Sequence, residues 1–360
     1  MAAVPKKSAH FTPWPTHHRG EGDEGMMSAV ARMAEAAGVP PTRLMTDFAA
    51  LAIGPGRVDF SDYERLRLFD EAFWGAAADR RSVVGARRAH ELALAVNFRH
   101  DCFILANDRL ASTAYLAAHG LPVVPILAIY RAGLASPGSD LIRTRDELRD
   151  FLADHVGRPL TVRPVEGGAP RRLFAAGCDA RSEIERLMDE VRDAGQISWL
   201  IQPCLAPHPD AAPGDGQRLA PVRLLAVNVE HGPIVLRALW RLGGREDIVA
   251  QLDLETGAVL AVFPAGAPHR AQAAPPGFGV PDWPRLKATA VEAMRLMGQF
   301  GLIGWDIAPT TEGPVIVGLE PTPDVELHQL ADRDGLVDAW FQDFIAHRRR
   351  LAAEHRRFGQ

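Results

Sequence analysis

The segment Leu302–Gln329, LIGWDIAPTTEGPVIVGLEPTPDVELHQ, constrains the fold more than any other part of the chain. It contains two short apolar runs, Leu302–Ala308 and Pro314–Glu320, separated by Thr311-Glu312-Gly313. Turn residues between apolar runs of strand length predict a β-hairpin. Each run carries one acid, Asp306 on the first and Glu320 at the end of the second. Neighbouring strands lie about 5 Å apart, so two carboxylates on one face can share a divalent cation. A carboxylate without a partner in an apolar strand is costly, and a metal is one way to offset that cost. On pattern alone, two half-exposed acids and a shared cation are both open readings.

The rest of the chain reads as mixed helix and strand. Residues 1–25 lack periodicity and predict a disordered arm, in which His17 and His18 read as tail residues. Residues 26–100 read as helices. Ser28 precedes VARMAEAAG, Ser61 and Glu64 form a capping-box pattern, and Arg80–Asn97 is apolar-periodic. From Asp101 onward strands and helices alternate. Thr144 with Glu147 and Ser182 with Glu185 give capping patterns, each followed by a strand, Leu160–Pro164 and Trp199–Gln202. Val222–Glu230 with Ile234–Leu242, and Ile248–Leu254 with Val259–Phe263, read as hairpins of an antiparallel sheet. Ala265–Gly279 reads as a loop and Pro284–Phe300 as a helix. The predicted class is α+β.

Composition narrows the function. A chain of 360 residues, 47% apolar, can bury a large core. With 40 basic and 45 acidic residues, net charge −5, there is no global pull toward nucleic acid. Arg348, Arg349, Arg350, Arg356 and Arg357 read as the solvated side of a terminal helix spanning 346–360. Three scattered cysteines, Cys102, Cys178 and Cys204, argue against a disulfide framework and a zinc site. No apolar run reaches about 18 residues and no signal-peptide pattern follows Lys6 and Lys7, so the expectation is a cytoplasmic protein without membrane insertion. No metalloprotease, P-loop or nucleophile-elbow pattern occurs. His328, near Glu326, reads as a solvated residue beside a loop.

Gly304-Trp305-Asp306-Ile307, the turn ending in Gly313-Pro314, and Glu320-Pro321-Thr322 resemble the end of an ATP-grasp domain. They resemble in particular the sugar-transfer-associated ATP-grasp family, which has Asn where Thr322 stands. The resemblance covers roughly 101–345 and implies two α+β subdomains, 101–205 and 206–345, that hold ATP between their sheets. Further matches are Asn107-Asp108-Arg109-Leu110 with Gly120-Leu121-Pro122, and the strand Leu160–Pro164. Arg109 and Arg163 stand where the family usually has Lys. Glu166, Gly167 and Gly168 fall at its Gly-rich phosphate loop; a bare Gly-Gly is also an ordinary turn.

The run Gln202-Pro203-Cys204-Leu205 falls at the strand whose backbone meets adenine, with Pro203 in place of an acid. Arg223 and Arg241 match the family's catalytic arginines; a plain salt bridge and Arg237 are the alternatives. Asp306, Glu320 and Thr322 match its Mg2+ ligands. The implied activity is an ATP-dependent carboxylate–amine ligase working through an acyl phosphate. Its substrates would be a small-molecule carboxylate and an amine, and a homo-oligomer is compatible with it. The family's setting suggests cell-envelope polysaccharide or secondary metabolism. The departures at Arg109, Arg163, Pro203 and Thr322 suit the alternative, a degenerate ATP-grasp protein that binds nucleotide or acts as a scaffold.

Overall fold

The computed structural model describes residues 25–75, 78–130, 140–165, 171–174, 177–194, 197–211, 219–243 and 247–358. The predicted arm therefore lies outside the described residues except for Gly25, and the Gly-rich loop lies outside them entirely. The fold is α+β. Its strands are β1 (Ala128–Tyr130), β2 (Asp140–Ile142), β3 (Leu160–Pro164), β4 (Arg171–Leu173), β5 (Trp199–Pro203), β6 (Val222–Val229), β7 (Gly232–Gly243), β8 (Ile248–Leu252), β9 (Val259–Pro264), β10 (Gln272–Ala273), β11 (Leu302–Thr310) and β12 (Gly313–Glu320). They form two sheets, ordered β2-β1-β5-β3-β4 and β10-β9-β8-β7-β6-β11-β12. Each sheet belongs to its own compact unit, one built on 124–204 with 108–114, the other on 205–360 with 115–123 and 23–107.

In the five-stranded unit, the helices Arg145–Asp154 and Ala180–Asp193 cover one face. Ile184, Leu187, Met188 and Val191 recur at helical spacing and pack with Leu148, Leu152, Val162 and Ile201. Thr144 and Glu147 form the expected reciprocal cap. At the second helix Asp179 is the cap, accepting from the Ser182 backbone N–H, so the helix starts earlier than the Ser182 pattern implied.

In the seven-stranded unit, the helix Trp283–Leu296 lies on one face. Trp283, Leu286, Ala290, Ala293 and Met294 pack on Val222, Leu224, Trp240 and Trp305. The opposite face carries Leu225, Val227 and Leu302 under the helices Ala86–Val96 and Ala339–Phe358. Beside them, Leu239, Val249 and Phe263 lie under Leu327 and Ala331 of the helix Glu326–Asp332.

Several local expectations are corrected. Asp59 and Asp62, rather than Ser61 and Glu64, make the capping box, and that helix is only Phe60–Arg65. The reason is tertiary: Asp62 is 1% exposed and also accepts from Arg65 and the Ala86 backbone. Arg80–Asn97 is a short 3-10 turn, Arg80–Ser82, followed by the helix Ala86–Val96. Gly85 cannot take a side chain there, because a Cβ would meet Asp62 Oδ2 at 2.1 Å. Arg348 is not solvated. It is 6% exposed, donates to Val96 O at 3.0 Å and lies over the Phe98 ring at 5.0 Å.

Candidate active site

The predicted acidic hairpin forms, as β11 and β12, with the turn at 311–312. Gly304 pairs with Glu320 and Asp306 with Gly318, so the two acids lie diagonally on one face. On the other side of β11, Asp306 pairs directly with Arg223 of β6. Directly opposed residues share a face, and Arg223 therefore joins the acids. Its Nε donates to Asp306 Oδ1 and its Nη2 to Oδ2, both at 2.9 Å, a bidentate contact. Its Nη1 stands 3.4 Å from Glu320 Oε2.

The cluster is partly shut off from water, with side chains 10% (Arg223), 21% (Asp306) and 17% (Glu320) exposed. Burial works against the Arg223 charge, but Asp306 and Glu320 outweigh it and hold the guanidinium protonated. Burial pushes the Glu320 carboxyl up to about 7 against the pull of Arg223, and Asp306 and Asp324 push the same way.

Such a site suits a hard cation in one respect. Carboxylate oxygens are the donors that Mg2+ takes, usually one or two of them together with phosphate oxygens. Among the described residues no group of three or more His, Cys, Asp or Glu side chains gathers to hold a metal alone. Thr322 follows, half-buried between two buried prolines. Pro323 folds back over Gly304, where a Cβ would come within 2.8 Å of the proline Cβ, so this loop lies against the face that bears Asp306.

Arg241 lies on the same face two positions beyond Leu239, the register partner of Arg223. It is 8% exposed and ion-paired with Asp247. Arg237 binds Asp332 Oδ2 at 3.0 Å and Gly335 O at 2.5 Å. His328 corrects its expected solvation. It is 1% exposed, and neither ring nitrogen has a hydrogen-bond partner among the described residues. Burial, with Arg223 and Arg237 nearby, holds it neutral, down to about 3. It sits on the helix side that packs Leu327 and Ala331 against the sheet.

In the five-stranded unit the register puts Thr161, Arg163, Leu200 and Gln202 on the face away from the two helices. Arg172, on β4, pairs with Thr161 and shares that face. Ile129, Val165 and Leu200 make it apolar beside the arginines, with Leu110 packed on them. Arg109 opens the helix Arg109–Ala118 and is half-buried. Gln202 is 5% exposed and its Nε2 donates to Val124 O at 3.2 Å, so the side chain ties strand to loop. Pro203 ends β5 opposite Leu160. Cys204 N donates to Pro159 O at 3.0 Å, its Sγ lies 3.2 Å from Thr161 Oγ1, and Leu205 is half-buried. Glu166, Gly167 and Gly168 lie outside the described residues.

No family model matches the chain, and no curated protein matches it. Among solved structures it is similar to the ATP-grasp ligase PsnB complexed with minimal precursor, at 18% identity and a TM-score of 0.41 over 69% of this chain and 62% of that one. It is similar to the D-alanine-D-alanine ligase from Coxiella burnetii, at 10% identity and a TM-score of 0.42 over 70% and 60%. A third is the RimK domain protein ATP-grasp from Sphaerobacter thermophilus DSM 20745, at 17% and 0.39 over 69% and 75%. The chain thus spans 62% of the PsnB chain and 60% of the Coxiella enzyme. At these identities, and with TM-scores below 0.5, the likeness carries no argument about this chain.

Proposed function

We propose that this chain is an ATP-dependent ligase of the ATP-grasp kind, resembling the sugar-transfer-associated family, that joins a small-molecule carboxylate to an amine. The observation that supports it most is the Arg223–Asp306–Glu320 cluster on one sheet face, at the motif positions the resemblance assigns to metal and phosphate. Asp306 and Glu320 would hold Mg2+, with Thr322 beside them. Bound there, Mg2+ would neutralise phosphate charge. Arg223 would stabilise negative charge developing on the transferred phosphoryl group, and Arg241 would reinforce it. In the other unit, Arg109 and Arg163 would contact phosphate oxygens, and the Gln202–Leu205 backbone would meet the base.

In the proposed reaction, a substrate carboxylate oxygen attacks the γ-phosphorus, the bond to the β-phosphate oxygen breaks, and ADP leaves. The amine then attacks the acyl carbon, expelling phosphate and losing a proton. The first step needs no general base, since carboxylates are ionised at pH 7. Among the described residues no helix is long and apolar enough to cross a membrane. A cytoplasmic setting in cell-envelope polysaccharide or secondary metabolism is part of the same proposal.

One observation favours a second reading. Arg223 already engages both oxygens of Asp306, an arrangement that a nucleotide-binding scaffold can keep without turnover. Purified protein separates the two. A ligase releases ADP in the presence of Mg2+, ATP and a pool of carboxylates and amines. A scaffold shows a Mg-ATP-dependent rise in melting temperature and no ADP release, and absence of both effects overturns the nucleotide reading.

A further inference from the structure

Besides the apolar packing of Ala86–Val96 on Leu302, one side chain hydrogen-bonds the end of that helix to the margins of both strands of the acidic hairpin. Asn97 follows the helix Ala86–Val96 and is 0% exposed. Its Nδ2 donates to Leu302 O at 2.8 Å and to Pro321 O at 2.6 Å. Its Oδ1 accepts from Gly301 N at 2.7 Å and Leu302 N at 2.9 Å. A carboxamide has two donor hydrogens and two acceptor lone pairs, and here all four are used. Leu302 begins the strand that carries Asp306, and Pro321 directly follows Glu320. One rigid planar group therefore fixes the start of one acid-bearing strand against the end of the other.

The surroundings leave no slack at this joint. Gly301 could not take a side chain, because a Cβ would lie 2.6 Å from both Val96 O and Arg348 Nε. A few residues further along, Arg65 of the helix Phe60–Arg65 ion-pairs with Glu326, anchoring the far end of the Pro321–Val325 loop. Thr322 and Asp324 lie within the segment held at both ends.

We infer that Asn97 is a positioning residue for the acidic site, setting through its bonds to Leu302 and Pro321 the spacing of Asp306 and Glu320 and the course of the Thr322 loop. The inference rests on the proposed reading only for what the site binds. A carboxylate at residue 97 keeps the acceptor and loses both donors. An alanine loses all four bonds. Gln329 provides the matched control. It is also fully buried, its Oε1 accepting from Val84 N and Leu336 N and its Nε2 donating to Val84 O, but it makes no bond to either acid-bearing strand.

The test compares the full-length wild type with Asn97→Asp, Asn97→Ala and Gln329→Ala, in two measurements. The first is the Mg2+ concentration giving half-maximal ATP binding by calorimetry. Supporting groups around a metal typically change affinity 10–100-fold, so Asn97→Asp should raise that concentration about tenfold while Gln329→Ala leaves it in place. The second is amide hydrogen exchange over residues 320–326, read with no nucleotide. It should accelerate in the Asn97 variants and stay at the wild-type rate in Gln329→Ala. Equal effects of Asn97 and Gln329 substitutions, or unchanged exchange over 320–326 in Asn97→Asp, overturn the inference. If wild type binds no Mg-ATP, the ligase reading fails and the exchange result alone decides the role of Asn97. If Asn97→Ala does not fold, Asn97→Asp carries the comparison.

Discussion

Arg223 and Asp306 stand directly opposite one another on β6 and β11 and are joined by two parallel hydrogen bonds of 2.9 Å. This pair changes what the acidic hairpin means. From the sequence, Asp306 and Glu320 are like charges that repel until a cation arrives. In the fold a guanidinium already lies against both.

Removing Arg223 should therefore destabilise the protein strongly. Arg223→Leu removes a buried guanidinium from two half-buried carboxylates, and losing one partner of a buried pair costs about 3–5 kcal/mol. Urea unfolding at pH 7 measures this. The double variant Arg223→Leu with Asp306→Asn should recover part of the loss, and a single-variant loss below about 1 kcal/mol, the scale of surface ion pairs, would sink the account.

Asp306→Asn should lower apo stability, since it deprives Arg223 of an ionised bidentate partner. It should also weaken Mg-ATP binding. Thermal shifts with and without Mg-ATP separate the two effects. An unchanged nucleotide-dependent shift would remove Asp306 from the metal site.

In the other unit, Arg163→Ala should weaken ATP binding by about 2–3 kcal/mol, the scale of a charge-assisted contact. Arg163→Lys keeps the charge and loses the planar fork. In a working ligase adapted to arginine it should reduce turnover. Calorimetry that finds ATP affinity unchanged in both variants would place Arg163 outside the site.

Stability should fall as pH rises from about 5 to 8. Burial holds Glu326 up at about 7 despite Arg65, and Asp332 up at about 6 despite Arg237. A carboxyl raised above its ordinary value binds its proton more tightly in the folded state. Its contribution is complete below its ordinary value near 4.5 or 3.8 and is lost as pH climbs through the raised one. Melting temperature recorded across this range should decline, and Glu326→Gln should flatten the decline. A variant curve parallel to that of wild type would contradict the assignment for Glu326.

Thr322 separates ligase from scaffold. If it faces the cation, Thr322→Asn should tighten Mg2+ binding and Thr322→Val should lower turnover more than nucleotide affinity. Steady-state ADP release alongside ATP titration tests this, and a Thr322→Val enzyme with wild-type turnover would exclude the role.

Much of the architecture was local information. The hairpin of β11 and β12 follows from two apolar runs and a turn, and β3 occupies Leu160–Pro164 as its pattern predicts, because period and turn chemistry act within a few residues. The cap at Thr144 was legible for the same reason. Caps at Asp59 and Asp179 were not, since several acids and serines compete for each position, and at Asp59 the choice is tied to the burial of Asp62 against Arg65 and Ala86. The acids and Arg223 could be marked as charges in apolar strands that need partners. Only strand order and register made them partners of one another, because β6 lies beside β11 although Arg223 and Asp306 are 83 positions apart. His328 and Asn97 were not legible as buried residues: one is a polar residue in a short helix with Leu327, Leu330 and Ala331, and the other an asparagine after a helix end. Their burial is decided by what the sheet and the N-terminal helices bring against them, which no spacing along the chain records.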